Sequence, residues 1–343
     1  MAMTRHGAIE DGLARLRGVG FTMGPGFAEH GPMVAEAIVS LGFNDRVAGW
    51  VDHYNAKRRH LPLPPPQKPI DGGDENDWRA ALGVYPRAAD WLAFFQRALA
   101  ETVWQDVLRL WVPRLLDGHA GALTHGLIRT AHAVRSLSAD GTPSDLTRDE
   151  LGHGLGYWAA SYHLSPGDPA RSGSDDLDAA LRRLPRGESV DIAPAIESLA
   201  PVADIDDAIS RHTATFARLL LAHEELAPVP AIQLVHAITA PRSMRDLLPF
   251  LPPESGPHAY RLLWRVSAGI AARLAKPLSA GSESALPRAE ASMSAAELAD
   301  RAIQHGDEHA IKLTEAVLFE ERLRPDPVYR VLAEAMLRRL PAF

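Results

Sequence analysis

The sequence predicts an all-α fold, in a single large multi-helix domain that covers residues 1–343. No segment shows the sustained alternation of apolar and polar residues, enriched in β-branched side chains, that is typical of strands. Apolar residues instead recur at three- and four-residue spacing over many long segments. The chain has no internal repeat, so a solenoid of similar units is not indicated.

Apolar periodicity and terminal signals define the predicted helices. Pro32 suits the first turn of the first one, and Thr124 is a candidate N-cap of a later one. The predicted helices cover residues 33–41, 45–57, 90–100, 102–116, 124–138, 147–162, 205–226, 231–238, 243–251, 259–274 and 298–323. Segments rich in Pro, Gly, Ser or Asp predict loops near 61–77, 165–190 and 277–292.

Composition narrows the possible classes of function. The chain has 343 residues, 46% of them apolar, and a net charge of -7, which is ordinary for a globular protein and argues against a nucleic-acid partner. The chain contains no apolar run long enough to predict a membrane span, and the N-terminus lacks the apolar segment of a secretory signal. We therefore expect a cytoplasmic protein without a membrane partner, of unknown oligomeric state. Cysteine is absent, which excludes disulfides, thiolate metal ligands and iron–sulfur clusters.

The predicted helix over 298–323 has a polar centre on an otherwise apolar face. That face consists of Leu298, Ala302, His305, His309, Lys312, Ala316, Phe319 and Leu323. Lys312 is one of four lysines in the chain, and burying a lysine costs free energy unless its amine is paired, neutral or modified. A salt bridge with Glu308 or Glu315, or a side chain that reaches solvent, would also account for it. Histidine and lysine together predict a metal site between helices.

Histidine is frequent, with fifteen residues. His125 and His132 are seven residues apart and share a helix face, His236 lies in an apolar helix with Thr239 one turn later, and His30 stands just before a helix. A single helical histidine is more often a core residue than a ligand, but this explanation does not easily cover five or six of them. The histidines that we expect in loops or on the surface are His6, His60, His119, His212 and His258.

Other catalytic templates do not fit the sequence. The glycines Gly152, Gly154 and Gly156 lie within a helical pattern, so they do not indicate a dinucleotide site. The chain has neither a phosphate-binding loop nor the nucleophile elbow of α/β-hydrolases. One Glu-x-x-His motif, from Glu150 to His153, has no second copy, so a di-iron site between four helices is not predicted.

Six segments resemble the questin oxidase-like family. The longest is Thr-His-Gly-Leu-Ile-Arg-Thr-Ala-His-Ala-Val-Arg over 124–135. The others are Glu-His-Gly-Pro-Met over 29–33, Trp-Arg-Ala-Ala-Leu-Gly over 78–83, Trp-Val-Pro-Arg-Leu over 111–115, His-Ala-Ile-Thr over 236–239 and Asp-Glu-His-Ala-Ile-Lys over 307–312. The resemblance extends from about residue 29 to residue 323, and the chain differs mainly in having shorter loops than the fungal members.

The resemblance implies an oxidoreductase that oxidatively opens a ring of an aromatic polyketide, such as an anthraquinone, with O2. Its outcome would be that of a dioxygenase or a Baeyer–Villiger-type monooxygenase; NADPH is a possible cofactor, but no motif supports it. Some members are similar to non-haem Fe(II) enzymes whose metal is bound by histidines and a carboxylated lysine. A neutral lysine amine reacts with carbon dioxide to give a carbamate, an anionic oxygen ligand, and on Lys312 this would remove the buried cation.

The resemblance also implies candidate site residues. The metal ligands expected first are Lys312, His132 and His236, followed by His30, His125 and His309, with His305 and His53 in reserve. Thr239 is the candidate catalytic residue, which would hydrogen-bond a carbonyl or phenol of the small aromatic substrate.

Three alternatives remain open. The hydroxyl of Thr239 is equally expected to bond its own helix backbone. A metal-dependent hydrolase with a carboxylated lysine would use the same ligands. A non-catalytic helical binding protein would contain the same histidines as structural residues, and it would hold no stoichiometric metal.

Overall fold

Helices make up most of the part of the chain that is described. The structure is a computed structural model, and it describes residues 3–24, 27–139, 142–165, 168, 171–185, 187, 190–223, 225–274 and 291–343. Within these ranges, the helices are joined by turns and irregular segments, and no strand is present beyond isolated bridges. The predicted all-α class is therefore confirmed. None of the helices in these ranges is long and apolar enough to cross a membrane.

The chain divides into two compact units, which are Met1–Leu164 with Asp246–Leu251, and Ser165–Arg245 with Pro252–Phe343. The first unit contains α1 (Arg5–Arg15), α2 (Gly31–Ser40), α3 (Val47–Lys57), α4 (Glu75–Ala81), α5 (Ala88–Glu101), α6 (Trp104–Leu115), α7 (His125–Leu137) and α8 (Asp145–Ala160). The second contains α9 (Leu177–Arg183), α10 (Ala193–Ile196), α11 (Ile205–Leu221), most of α12 (Pro228–Leu247), α13 (Gly256–Leu274), α14 (Ala295–His305), α15 (Glu308–Leu323) and α16 (Val328–Arg339). One domain over 1–343 stays a prediction.

Glycines allow α7 and α8 to approach closely in the first unit. A side chain on Gly126 would overlap the backbone of Trp158, and one on Gly154 would overlap the backbone of Thr130. α2 packs against α7, and α5 packs against α8. Gly154 therefore has a packing role in a helix, in agreement with the conclusion that this glycine-rich segment is not a nucleotide loop.

An aromatic cluster fills the core of the first unit beside α5 and α6. Trp91, Phe95 and Trp111 are buried. The ring centroid of Trp111 lies 5.6 Å from that of Trp91 and 5.2 Å from that of Phe95, both edge to face. This arrangement is favourable for aromatic pairs because the positive ring edge meets the negative ring face. The cluster anchors α5 to α6, and α5 in turn packs on α8.

The prediction of one helix over 298–323 is wrong, because the segment forms two helices. Gly306, with a φ of 83°, ends α14. Asp307 then caps α15, and its Oδ1 accepts from the backbone N–H groups of His309 and Ala310, both at 2.9 Å. A left-handed glycine and an aspartate N-cap are ordinary stop and start signals. His305 and Lys312 therefore do not share one continuous helix face.

Other boundaries also differ from the prediction. The predicted helices 231–238 and 243–251 form one helix, α12, which continues through Pro241, although proline removes a helical hydrogen bond. Within the described residues, the structure adds five helices that were not predicted: α1, α4, α9, α10 and α16. α4 begins within the predicted loop 61–77, and α9 lies within the predicted loop 165–190. Residues 277–290 of the third predicted loop lie outside the described residues.

The prediction that His212 is a surface residue is wrong. His212 is fully buried on α11, its Nε2 lies 3.0 Å from Ser267 Oγ, and its ring stacks on Phe216 with centroids 4.5 Å apart. It shares a helix face with buried Ile209 and Phe216, at spacings of three and four residues. His119 is also buried, in a tight turn where its Nδ1 lies 3.1 Å from the Leu116 carbonyl oxygen.

Burial of His212 predicts a pH-dependent stability. Burial lowers the pKa of His212 to about 3, whereas an unfolded histidine has a pKa of about 6.5. Below about pH 6.5 the unfolded chain therefore binds a proton that the folded chain does not. As the pH is lowered through this range, the free energy of unfolding falls by on the order of 1 kcal/mol per pH unit. We expect His212→Asn to reduce this slope between about pH 6 and 4, as measured by urea unfolding. An unchanged slope would contradict the assignment.

Candidate metal centre

His30 and His125 form a buried imidazole pair in the first unit. His30 immediately precedes α2 and His125 is the first residue of α7, and their Nε2 atoms are 3.0 Å apart. Two nitrogen ligands at right angles on a metal, with bonds of about 2.1 Å, lie about 3.0 Å apart. The pair therefore has the spacing of two adjacent ligands, and it also has the spacing of a direct N–H···N hydrogen bond.

The tautomer of His125 follows from its other ring nitrogen. Nδ1 of His125 lies 2.5 Å from the carbonyl oxygen of Ala122. Because a carbonyl can only accept, Nδ1 carries the proton and Nε2 carries the lone pair, as in metal-binding imidazoles. His153 and His223 make similar bonds to the carbonyls of Asp149 and Leu219, so such a bond alone does not identify a ligand.

Hydrogen bonds fix the backbone on both sides of His30. The Tyr54 hydroxyl accepts from the His30 N–H at 3.1 Å and donates to Glu29 Oε1 at 2.8 Å, and the same carboxylate oxygen accepts from the Gly31 N–H at 2.9 Å. The second oxygen of Glu29 lies 2.6 Å from His60 Nδ1. Burial opposes the charge of Glu29, but these hydrogen bonds lower its pKa. His60, predicted to be a loop or surface residue, thus pairs with a buried carboxylate.

His132 lies among charged residues of the first unit. Its Nδ1 is 2.7 Å from Glu36 Oε2, and Arg135 Nε donates to the same oxygen at 2.8 Å. Burial opposes the charge of Glu36, yet Arg135 and His132 lower its pKa. The Arg135 guanidinium, which can only donate, also lies 2.6 Å from Nδ1 and 3.3 Å from Nε2, so His132 belongs to a charged hydrogen-bond network that does not by itself assign its tautomer. The ligand role of His132 stays a prediction.

His236 and His309 lie close together in the second unit. Both are buried, and their ring centroids are 6.0 Å apart, with His236 on α12 and His309 on α15. The Nδ1–H of His236 donates to the Ile232 carbonyl at 2.9 Å, so Nε2 carries the lone pair. Burial and the nearby charge of Lys312 lower the pKa of His236 to about 3. His236 is therefore neutral near pH 7, which is the form that binds metals.

Lys312 is buried on α15. Its side chain is 2% exposed, and it makes no hydrogen bond or ion pair with any residue in the described ranges. Glu315, one expected partner, instead pairs with Arg242 at 3.1 Å. Burial lowers the pKa of Lys312 to about 7, although Glu308 and Asp307 raise it. The amine is therefore dry and partly neutral at neutral pH, the state in which an amine reacts with carbon dioxide.

Thr239 and the two reserve histidines have other surroundings. The Thr239 hydroxyl donates to the Val235 carbonyl at 3.3 Å, which is the alternative that the sequence left open, and its catalytic role stays a prediction. His305 Nε2 donates to the Leu340 carbonyl at 3.1 Å. His53 is exposed on α3. None of these contacts resembles the two imidazole pairs.

Comparison with known families supports the resemblance read from the sequence. Residues 37–138 match the model of a family described as Questin oxidase-like. The matched segment begins within α2 and ends just after α7, and it includes His125 and His132. His30, His236, His309 and Lys312 lie outside it. No curated protein matches the chain. The family description indicates an oxidoreductase.

Proposed function

We propose that the chain is a non-haem iron-dependent oxygenase that oxidatively opens a ring of an anthraquinone-like aromatic polyketide with O2. The observation that carries the proposal is Lys312, a buried amine on the same helix as His309 that makes no ion pair with the described residues. A carbamate on this amine would replace a costly buried cation by an anionic metal ligand. The family match over 37–138 supports oxidase chemistry.

The donor atoms of both imidazole pairs fit Fe(II). Imidazole nitrogens and a carbamate oxygen suit this metal, and the chain contains no thiolate that would favour zinc or an iron–sulfur cluster. The candidate ligands are the pair His30 and His125, the pair His236 and His309, and Lys312, with His132 kept among them. The geometry within each pair supports its members as ligands. The iron content of variants in each pair tests which of these residues bind iron.

Contacts within the chain hold the candidate ligand nitrogens in a state that binds metals. When bound, Fe(II) supplies the electrons and the open coordination position that O2 chemistry requires. His236 stays neutral because it is buried, and the Ile232 carbonyl holds its tautomer. Glu29 and Tyr54 hold the backbone of His30. The Thr239 hydroxyl still has acceptor lone pairs while it donates to Val235, so it is able to accept from a substrate phenol.

The metal content of the protein tests the proposal first. We expect about one iron per chain after anaerobic purification, because the available donors are nitrogen and oxygen atoms. Elemental analysis by mass spectrometry measures this directly. Zinc alone in a fully active protein would remove the iron assignment and favour the hydrolase. Protein without stoichiometric metal would favour the binding protein.

The source of oxygen in the product tests the reaction class. With a hydroxylated anthraquinone under ¹⁸O2, we expect O2 consumption and a product that contains one or two labelled oxygen atoms. Mass spectrometry distinguishes the two outcomes, which correspond to a monooxygenase and a dioxygenase. A labelled product that forms only in ¹⁸O-water would indicate hydrolysis and contradict the proposal.

A further inference from the structure

Three consecutive residues before α7 have a left-handed backbone. They are Ala122, Leu123 and Thr124, with φ values of 47°, 51° and 67°, and none of them is glycine. An L-residue is strained here because its Cβ approaches the following carbonyl oxygen, and single residues rather than runs normally adopt this conformation. A β-branched residue such as threonine is a particularly unfavourable case. Strain of this kind persists only where the surrounding structure imposes it, and it concentrates at functional sites.

Contacts with the residues that follow α8 hold this left-handed turn, defined as residues 122–124. The Gly118 carbonyl accepts from the His163 N–H at 3.1 Å. Gly121 lies so close to the backbone of Ser161 that any side chain would overlap it. Thr124 is fully buried, and its hydroxyl donates to the Leu123 carbonyl at 2.6 Å. The segment that leads into the turn is therefore held by the backbone that follows α8.

The left-handed turn supplies a carbonyl acceptor to a histidine at the first position of its helix, as the tight turn at Leu116 does for His119. His153 and His236 lie inside helices, and each donates through Nδ1 to the carbonyl four residues earlier. His125 is the first residue of α7 and has no preceding helical turn. The left-handed backbone instead brings the Ala122 carbonyl, three residues earlier, to 2.5 Å from His125 Nδ1.

We propose that the left-handed turn is a positioning device for His125. It keeps the proton on Nδ1 of His125 and directs the Nε2 lone pair toward His30. The strain of the turn lowers the free energy of unfolding below the value that a relaxed turn would give. The consequence for iron rests on the proposed function, whereas the orientation of the ring does not. Ala122 and its neighbours thus act through His125 and do not themselves contact a metal.

Ala122→Gly is the test variant, because Ala122 is exposed and the change removes one methyl group while keeping the carbonyl. Ala120→Gly is the matched control, since Ala120 has an ordinary φ of -67°. Relief of strain should raise the Tm of Ala122→Gly by about 2 °C, whereas Ala120→Gly should lower it. Glycine also adopts many other backbone conformations, so the carbonyl at position 122 should be held less firmly, and iron should dissociate about tenfold faster from Ala122→Gly only.

A second readout does not depend on iron. Imidazole ¹⁵N NMR of the full chain after chelation, with the His125 signal assigned by loss in His125→Gln, should show the Nδ1–H tautomer in the wild type and a tautomer mixture in Ala122→Gly. A Tm that falls in both glycine variants, or an unchanged His125 tautomer, would overturn the positioning role. A wild type without iron would instead overturn the proposed function, and the Tm and tautomer would still decide the role of the turn.

Discussion

Lys312→Arg should abolish iron binding and turnover, although it keeps a positive charge at this position. Arginine stays protonated and forms no carbamate, so the anionic oxygen ligand is lost. We expect kcat/KM to fall by more than about a hundredfold, since even indirect supports of a metal site cost 10- to 100-fold. Iron content and O2 consumption measure the effect. Lys57→Arg is the control, because Lys57 is exposed at the end of α3.

Two companion measurements make this first prediction specific. Lys312→Ala should also lose iron, and bicarbonate or a short carboxylic acid should restore part of it by occupying the vacated position. In the wild type, bicarbonate-dependent iron uptake should rise with a midpoint near pH 7, because burial lowers the Lys312 pKa to about 7 and only the neutral amine reacts. An Arg variant with full iron and activity, or a midpoint near the ordinary lysine value, would exclude the carbamate.

His125→Ala and His236→Ala should each lose iron and activity while their helical circular dichroism stays unchanged. Each substitution removes a buried imidazole whose Nδ1–H bond to a backbone carbonyl places the lone pair on Nε2, the form that binds a metal. His132→Ala is expected to behave likewise from the resemblance. We expect at least about a hundredfold loss in each case. Elemental analysis and thermal unfolding should be measured on the same preparations.

The control for this series is His53→Ala, because His53 is exposed on α3. His212 is unsuitable as a control, since it is buried and its replacement would disturb α11. If only one of the two imidazole pairs loses iron on substitution, that pair alone binds the metal. Full iron in both the His125 and His236 variants would place the site elsewhere.

Periodic apolar spacing was enough to predict much of the fold. The helix predicted over 124–138 is α7, His125–Leu137, because its buried residues recur at helical spacing and glycine 126 allows close packing. Gly306 followed by Asp307 marks the break within 298–323, but these stop and start residues lie inside a segment whose apolar spacing continues across them. The helix through Pro241 could not be read locally, because tertiary packing outweighs the lost backbone hydrogen bond.

The candidate site was likewise predictable only in part from local sequence patterns. The burial of Lys312 followed from its position among apolar residues, and the structure agrees. The pairing of Glu315 with Arg242 joins residues 73 positions apart, so no local sequence pattern predicts it. The contacts of Glu29 with Tyr54 and His60 are also long-range. The left-handed backbone of Ala122, Leu123 and Thr124 contains neither glycine nor asparagine, so turn chemistry gives no signal for it.

Anomalous diffraction at the iron absorption edge, from crystals of the anaerobically purified protein, tests the central claim most directly. The account predicts an anomalous peak within bonding distance of imidazole Nε2 atoms, together with branched density that extends beyond the Nζ atom of Lys312. An unmodified Lys312 side chain, with no iron peak at either imidazole pair, would contradict it.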